Sequence, residues 1–138
     1  MDRKVAKEFL HIRDWLKRAG DIVDHGRDAY QDDPLLQEAG DSLMMKLGEA
    51  AGRLARANIE PPEGVLWTDA IANRNWLIHQ YDEIDRALTW ETLAGDLASW
   101  RAAPFPASSA SFFASRAATF SAWPACAAIR RCNCSIWV

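Results

Sequence analysis

Apolar residues recur at intervals of three or four near the start of the chain, and this spacing restricts the fold more than any other feature. Such intervals place side chains on one face of an α-helix. The apolar positions are Val5, Phe9, Ile12, Leu16, Ala19 and Val23, and most of the charged side chains between them fall on other faces. The spacing predicts an amphipathic helix over residues 3–25 that ends near Gly26.

A second apolar stripe predicts a helix over residues 34–57. Asp33 can cap its amino end, and Pro34 suits the first helical position, where no amide hydrogen is needed. The stripe consists of Leu36, Ala39, Leu43, Leu47, Ala50 and Leu54. Each glycine inside a helix costs about 1 kcal/mol relative to alanine. The presence of Gly40, Gly48 and Gly52 therefore indicates that another helix approaches closely.

The rest of the first hundred residues predicts two shorter helices. Thr68 or Asp69 can cap a helix that continues to about His79, and Thr89 can cap another that includes Trp90 and Trp100. No segment alternates between apolar and polar residues as a strand does. We therefore predict an all-α fold, an antiparallel up-down helical bundle.

The composition of the chain changes near residue 100. Residues 1–100 contain 12 Lys and Arg against all 19 acidic residues, a net charge of −7, whereas the last 38 residues contain four Arg and no acidic residue. We predict a helical domain over residues 1–100 and an irregular extension, rich in Ala and Ser, over residues 101–138. The acidic domain disfavours broad nonspecific binding of nucleic acid, which requires clustered cations.

Several classes of protein are disfavoured by the sequence. The three cysteines lie in the extension without the paired spacing or the neighbouring histidine of a zinc site, so we expect no metal. No apolar run approaches the roughly 18 residues that span a membrane, and the first residues do not form a secretory signal. We expect a cytoplasmic protein with no membrane association.

The segment 74–81 contains the chemically informative pattern, Arg74-Asn75-Trp76-Leu77-Ile78-His79-Gln80-Tyr81. Taken alone, Arg-x-x-x-x-His-x-Tyr is a weak signal, because a surface arginine and a partly buried histidine at a helix end can share this spacing by chance. The surrounding sequence makes the pattern more specific.

The segment resembles the motif of HepT-like proteins in the HEPN superfamily, in which Arg-Asn precedes apolar residues and His-x-Tyr. The resemblance covers about residues 1–100. It also includes Gly48-Glu49-Ala50, Trp67, residues 81–85, Trp90 and Asp96-Leu97. It implies a toxin of a toxin–antitoxin system that cleaves RNA without a metal or other cofactor.

The residue types suit this chemistry. In metal-free cleavage the ribose 2′-hydroxyl attacks the adjacent phosphate and leaves a 2′,3′-cyclic phosphate. His79 can transfer protons near neutral pH. Arg74 can direct two donors at phosphate oxygens, and Asn75 can hydrogen-bond the phosphate or orient the His79 ring. Glu49 has two open roles, as a structural ion pair or as support for Arg74 or His79.

The helical geometry adds a restriction. At 100° per residue, Arg74 and His79 lie about 140° apart around a helix, so one intact helix does not direct both at one phosphate. Either the helix ends or bends near His79, or the Arg74 side chain curls around it. The resemblance implies a homodimer in which the motifs of two subunits meet.

Tyr81 has two interpretations. It is an amphipathic residue at a helix end, or, as the resemblance implies, it receives AMP from a partner nucleotidyltransferase of the minimal MNT type, which silences the nuclease. The modification would bring negative charge close to Arg74 and His79.

The sequence departs from the family after Trp100, where a last amphipathic helix is expected. The loss of acidic residues there resembles translation of a GC-rich gene in a wrong frame, and we hypothesise a frameshift in residues 101–138. This departure leaves an alternative open, in which the chain is a catalytically inactive helical subunit that binds a nucleotidyltransferase.

Overall fold

The computed structural model describes residues 2–80 and 83–106, and these residues form helices and connecting turns without any strand. The all-α prediction is confirmed. The helices in chain order are α1 (Arg3–Asp24), α2 (Arg27–Asp32), α3 (Pro34–Arg56), α4 (Trp67–His79), α5 (Arg86–Glu91) and α6 (Leu97–Ala102), with a π-helical turn at Thr92–Asp96 between the last two.

The first apolar stripe is confirmed as the inner face of α1. Phe9, Ile12, Leu16 and Ala19 are buried, and the Asp2 side chain accepts a hydrogen bond from the Lys4 amide at the amino end. Gly26 ends this first segment with φ of 91°. An L side chain rarely adopts this conformation, whereas glycine does so without steric cost. The short helix α2 that follows was not predicted.

Helix α3 begins as predicted, with the Asp33 side chain accepting from the Leu35 amide and Pro34 in the first turn. One member of the predicted stripe, Ala39, is exposed, and Gly40 is buried beside it. The inner face is also wider than predicted, because Met44, Gly48 and Ala51 are buried. An ideal Cβ on Gly40 would stand 3.0 Å from Leu93 Cδ1 and 3.4 Å from Tyr30 Cε2. The glycine therefore admits side chains from two neighbouring elements.

The predicted caps of the later helices are wrong. Helix α4 has Leu66 at its N-cap and no side-chain cap, although Thr68 and Asp69 follow directly. Helix α5 begins before Thr89, because the Asp85 carboxylate accepts hydrogen bonds from the amides of Ala87 and Leu88. Thr89 is buried inside the helix and not at its start.

The core lies between the long helices and the α5–α6 segment. Phe9 contacts Trp67 and Phe105, with ring centroids 6.3 Å and 6.2 Å apart, and Trp67 meets Trp100 edge to face at 6.1 Å. Of the predicted extension 101–138, residues 101–106 are described, and Ala103 and Phe105 pack against the core. The domain boundary after residue 100 stays a prediction.

Candidate active site

The motif-bearing helix α4 packs closely against α3, and one glycine makes this possible. An ideal Cβ on Gly48 would stand 2.5 Å from the carbonyl oxygen of Ala70 and would also collide with the Cβ of Arg74. Real Cβ atoms essentially never approach backbone so closely. The expectation that glycines in α3 mark a close helix approach is confirmed here. The approach brings Glu49, the next residue in α3, level with Arg74.

Arg74 is held on two sides of its guanidinium group. Its Nε lies 2.8 Å from Glu49 Oε2, and its Nη1 donates to Asn75 Oδ1 at 3.1 Å. The Arg74 side chain is 33% exposed, so the pair forms at the protein surface and not in the core. A guanidinium group has five N–H donors. The two contacts fix its orientation and leave other N–H groups for a ligand.

Glu49 belongs to a longer chain of charges that joins three helices. Its Oε1 lies 3.8 Å from Arg53 Nη1, one helical turn along α3. Arg53 in turn makes two hydrogen bonds to the Glu8 carboxylate in α1, at 3.0 Å and 2.9 Å. These bonds raise the pKa of Arg53 above its ordinary value. The order Glu8, Arg53, Glu49, Arg74 therefore alternates in sign across the bundle surface, and we call it the surface charge network.

His79 is the last residue of α4, and its side chain is exposed. Helix α4 is continuous from Arg74 to His79, so the angular separation of about 140° remains. Asn75 is exposed and lies four residues before His79, on the same helical face. Because the Arg74 guanidinium reaches the Asn75 side chain, it curls toward the face that carries His79. Helix α4 ends at His79, and the Arg74 side chain reaches Asn75. That Arg74 and His79 act on one phosphate stays a prediction.

Tyr81, the predicted modification site, lies outside the described residues. Two apolar side chains near the motif are exposed, Met45 in α3 at 40% and Ile78 in α4 at 43%. Ile78 directly precedes His79. The surface of α3 and α4 around the motif therefore combines exposed apolar side chains with charged ones.

A second polar cluster was not predicted from the sequence. Tyr30 is fully buried, and its hydroxyl donates to Thr89 Oγ1 at 2.9 Å. Close by, Arg86 Nη1 donates to both carboxylate oxygens of Asp41 at 2.8 Å and 2.9 Å. Burial raises the pKa of Asp41, although the hydrogen bonds from Arg86 oppose this shift. Burial also raises the pKa of Tyr30, and the hydrogen bond with Thr89 opposes that shift. The cluster attaches the start of α5 to α2 and α3.

No motif in the linear sequence identifies the cluster of Tyr30, Thr89, Asp41 and Arg86, because its bonded partners are far apart in the chain. Asp41 and Arg86 are 45 residues apart, as are Glu8 and Arg53. One cue was present, since Asp85 is a good N-cap residue directly before Arg86. Recognition of that cap would have moved the start of α5 and placed Thr89 inside the helix.

No three His, Cys, Asp or Glu side chains among residues 2–80 and 83–106 are grouped so that they could hold a metal ion. In the same part of the chain, no helix has the length and apolar character needed to cross a bilayer.

Comparison with known proteins gives one match. The family model described as ribonuclease HepT-like matches residues 12–104, about two thirds of the chain. No curated protein and no solved structure matches significantly. The matched range contains three of the four members of the surface charge network, all but Glu8. It also contains Asn75, His79 and Tyr81.

Proposed function

The chain belongs to the HepT-like ribonuclease family, and on this premise we propose that it is a metal-independent endoribonuclease toxin of a toxin–antitoxin system. In the proposed reaction, the 2′-hydroxyl of a ribose attacks the adjacent phosphorus, and the bond to the 5′-oxygen of the next nucleotide breaks. The products are a 2′,3′-cyclic phosphate and a 5′-hydroxyl. Arg74, Asn75 and His79 carry the reaction.

The arrangement around Arg74 is the main observation that supports this proposal. Glu49 and Asn75 contact different nitrogens of the guanidinium group, Nε and Nη1. The remaining N–H groups are donors that can bind two phosphate oxygens and stabilise the charge that develops in the transition state. Glu49 acts as a positioning residue because it contacts the arginine and not the substrate. A cation held in advance loses little freedom when the phosphate binds.

His79 supplies the proton transfers in this proposal. The 2′-hydroxyl must lose a proton, and the leaving 5′-oxygen must gain one. An imidazole exchanges protons near neutral pH and suits either role. One imidazole in one position does not readily serve both sides of an in-line displacement. A second His79 from another subunit would complete the pair.

A homodimer is therefore part of the proposal, with the motif helices near the two-fold axis. Its support is the exposure of the motif side chains, the exposed Met45 and Ile78 beside them, and the separation of about 140° between Arg74 and His79 within one helix. Two subunits would bring two copies of each group to one cleft. They would also place two Arg74 guanidinium groups beside one phosphate, which would compensate for the acidic character of the domain.

Control by a nucleotidyltransferase antitoxin of the MNT type is the remaining part of the proposal. The partner would transfer AMP to Tyr81, which is two residues beyond His79 in the sequence. The phenol oxygen would attack the α-phosphorus of ATP, lose its proton and release pyrophosphate. The phosphodiester would add about one negative charge two residues beyond His79 in the sequence, and we expect it to compete with the RNA phosphate.

Growth arrest on expression of the chain alone tests the proposed function. We expect Arg74→Ala and His79→Ala each to relieve the arrest, since loss of a general acid–base costs about 10² to 10⁴ in rate. Matched controls are Arg27→Ala, which removes an exposed arginine of α2, and His25→Ala, which removes another exposed histidine at a helix end. Both controls should remain toxic.

Cleavage of RNA by the purified protein gives the chemical test. The new 5′ ends should carry a hydroxyl, so that they accept a phosphate from polynucleotide kinase without prior phosphatase treatment, and cleavage should persist in EDTA. Equal activity of the wild-type chain and His79→Ala would contradict the catalytic assignment. Stable binding of a nucleotidyltransferase by a chain that never cleaves RNA would favour the inactive-subunit alternative.

A further inference from the structure

A groove on the opposite side of α1 from the surface charge network has a different character. It has a volume of about 580 Å³ and lies between α1 and the segment that follows α6. Its apolar lining includes Leu10 and Phe105, and its charged lining includes Arg13, Lys17 and Arg101. On α1, Lys17 lies about 180° around the helix from Glu8, the residue that binds Arg53. The groove is therefore distinct from the candidate active site.

The three cations of the groove have no carboxylate within ion-pair distance among the described residues. The acidic residue in the lining, Asp14, is paired with Arg18 at 3.0 Å. Residues 1–100 carry a net charge of −7, so a groove lined by three cations and one carboxylate is opposite in sign to the domain as a whole. Such a group attracts anions.

The cations follow a line and do not surround a point. Arg13 and Lys17 are four residues apart on α1, about one helical turn of 5.4 Å. The Arg101 guanidinium reaches across from α6 and lies against Gly20, where a Cβ would collide with it. Gly20 is seven residues beyond Arg13, about 10 Å along the helix axis. A row of cations at successive turns matches a ligand with repeated negative charges better than a single phosphate.

The apolar side chains in the groove indicate which kind of polyanion it can bind. Leu10 is 51% exposed, and the Phe105 ring is half-buried at the other side of the groove. Proteins that bind single-stranded nucleic acids combine a basic groove that follows the backbone with aromatic side chains on which bases stack. We propose that the α1–α6 groove binds single-stranded RNA of the substrate, at nucleotides remote from the bond that is cleaved. The identity of the polyanion as substrate RNA rests on the proposed function.

Binding in a salt series tests this proposal without cleavage. Full-length His79→Ala protein is titrated into a fluorescently labelled single-stranded RNA, with and without the further changes Arg13→Gln, Lys17→Gln and Arg101→Gln. Each contact with a phosphate of a single strand contributes about 0.7 to the slope of log K against log salt. We expect the triple change to reduce the slope by about 2. A variant with Arg13→Lys and Arg101→Lys, which keeps all three positive charges, should have the same slope as the protein without groove substitutions.

Lys7→Gln is the matched control, because it removes one exposed positive charge from the same helix outside the groove. This control should change the slope by much less than any single groove substitution. Far-UV circular dichroism checks that the triple variant is folded. An unchanged slope in a folded triple variant would overturn the proposal.

Cleavage kinetics then separate this groove from the active site. In the background with His79 intact, the triple change should raise KM for a long RNA and leave the cleavage of a trinucleotide unchanged. A fall in kcat on the trinucleotide would overturn the assignment to remote nucleotides. If the triple variant binds RNA normally but no longer binds the antitoxin, the groove would instead be assigned to a protein partner. If the chain cleaves no RNA at all, the proposed function fails, but the salt series still reports on the groove.

Discussion

Replacement of Gly48 by alanine should loosen the contact between α3 and α4 and so disturb the site at its structural base. The new methyl group would meet the Ala70 carbonyl oxygen at 2.5 Å and the Cβ of Arg74. Both neighbours belong to the backbone or the first side-chain atom of α4, so neither can rotate away. Helix α4 must therefore shift outward, on the order of 1 Å, to restore the ordinary contact distance of about 3.5–4.0 Å.

The magnitude follows from two opposing effects. Added volume in a packed interface typically costs 1–3 kcal/mol, whereas glycine to alanine inside a helix contributes about 1 kcal/mol of stability. We expect Gly48→Ala to lower the free energy of unfolding by about 1 kcal/mol. The shift should affect activity more strongly, because a displacement of about 1 Å can cost on the order of 10² in rate. It would move Arg74 relative to Glu49.

Gly52→Ala is the matched control, one turn further along the same helix. A Cβ there would meet Arg56 Nη1 at 3.4 Å and Ile71 Cγ1 at 3.9 Å, and the first of these is the end of a flexible side chain. Gly52→Ala should therefore stabilise the protein by about 1 kcal/mol and leave cleavage intact. Urea denaturation and RNA cleavage measure the two effects. Equal stabilisation by both substitutions would refute the steric argument.

Three further outcomes are expected. Tyr30→Phe should cost about 1 kcal/mol in urea denaturation, because it removes the hydrogen bond to Thr89. Since burial raises the pKa of Tyr30 above its ordinary value near 10, the wild-type chain should also lose stability as the pH rises past about 10, and the phenylalanine variant should lose less. Light scattering should show a dimer at micromolar concentrations, and a monomer there would contradict the proposed two-subunit site. After coexpression with the cognate nucleotidyltransferase, mass spectrometry should find AMP on the peptide that contains Tyr81, and Tyr81→Phe should leave a nuclease that the partner no longer silences. An unmodified Tyr81 with full neutralisation would show that the partner acts by occlusion.

The long helices could be predicted because their local and tertiary preferences agree. In α1, every residue of the apolar stripe from Phe9 to Ala19 is buried as its spacing requires. In α3 the stripe fails at Ala39, since Tyr30 and Leu93 occupy the space beside Gly40. A glycine has no hydropathy signal of its own, so periodicity alone assigns the buried position to the neighbouring alanine.

The short helices were harder to predict, because their ends depend on competition between several capping residues. Thr89 is a good N-cap by propensity, yet Asp85 caps α5 and the Thr89 hydroxyl accepts from Tyr30 instead. That contact joins residues 59 positions apart. Propensity describes a local preference, and a buried hydrogen bond with a distant residue outweighs it.

In the candidate active site, too, features within one helix could be predicted from the sequence, whereas contacts between helices could not. The spacing within α4 was sufficient to place Asn75 and His79 on one face, because both belong to a single helix. It could not decide whether Glu49 binds Arg74 or His79, since the relative height of α3 and α4 depends on the packing at Gly48. The contribution of Arg53 and Glu8 was not predicted for the same reason.

The charges around Arg74 bear on how an acidic chain could bind a phosphate. Within the surface charge network each guanidinium faces a carboxylate, so the four residues together are neutral. A phosphate on the outer N–H groups of Arg74 would stand near Glu49, and two like charges about 6 Å apart repel by on the order of 3 kcal/mol at an effective dielectric of about 20. Cationic His79 would offset part of this repulsion, and Arg74 of a second subunit would offset more. In the proposed dimer, phosphate binding at Arg74 would thus depend on the presence of both motifs. A monomer would bind the phosphate weakly there and would lack the nuclease activity that the nucleotidyltransferase silences.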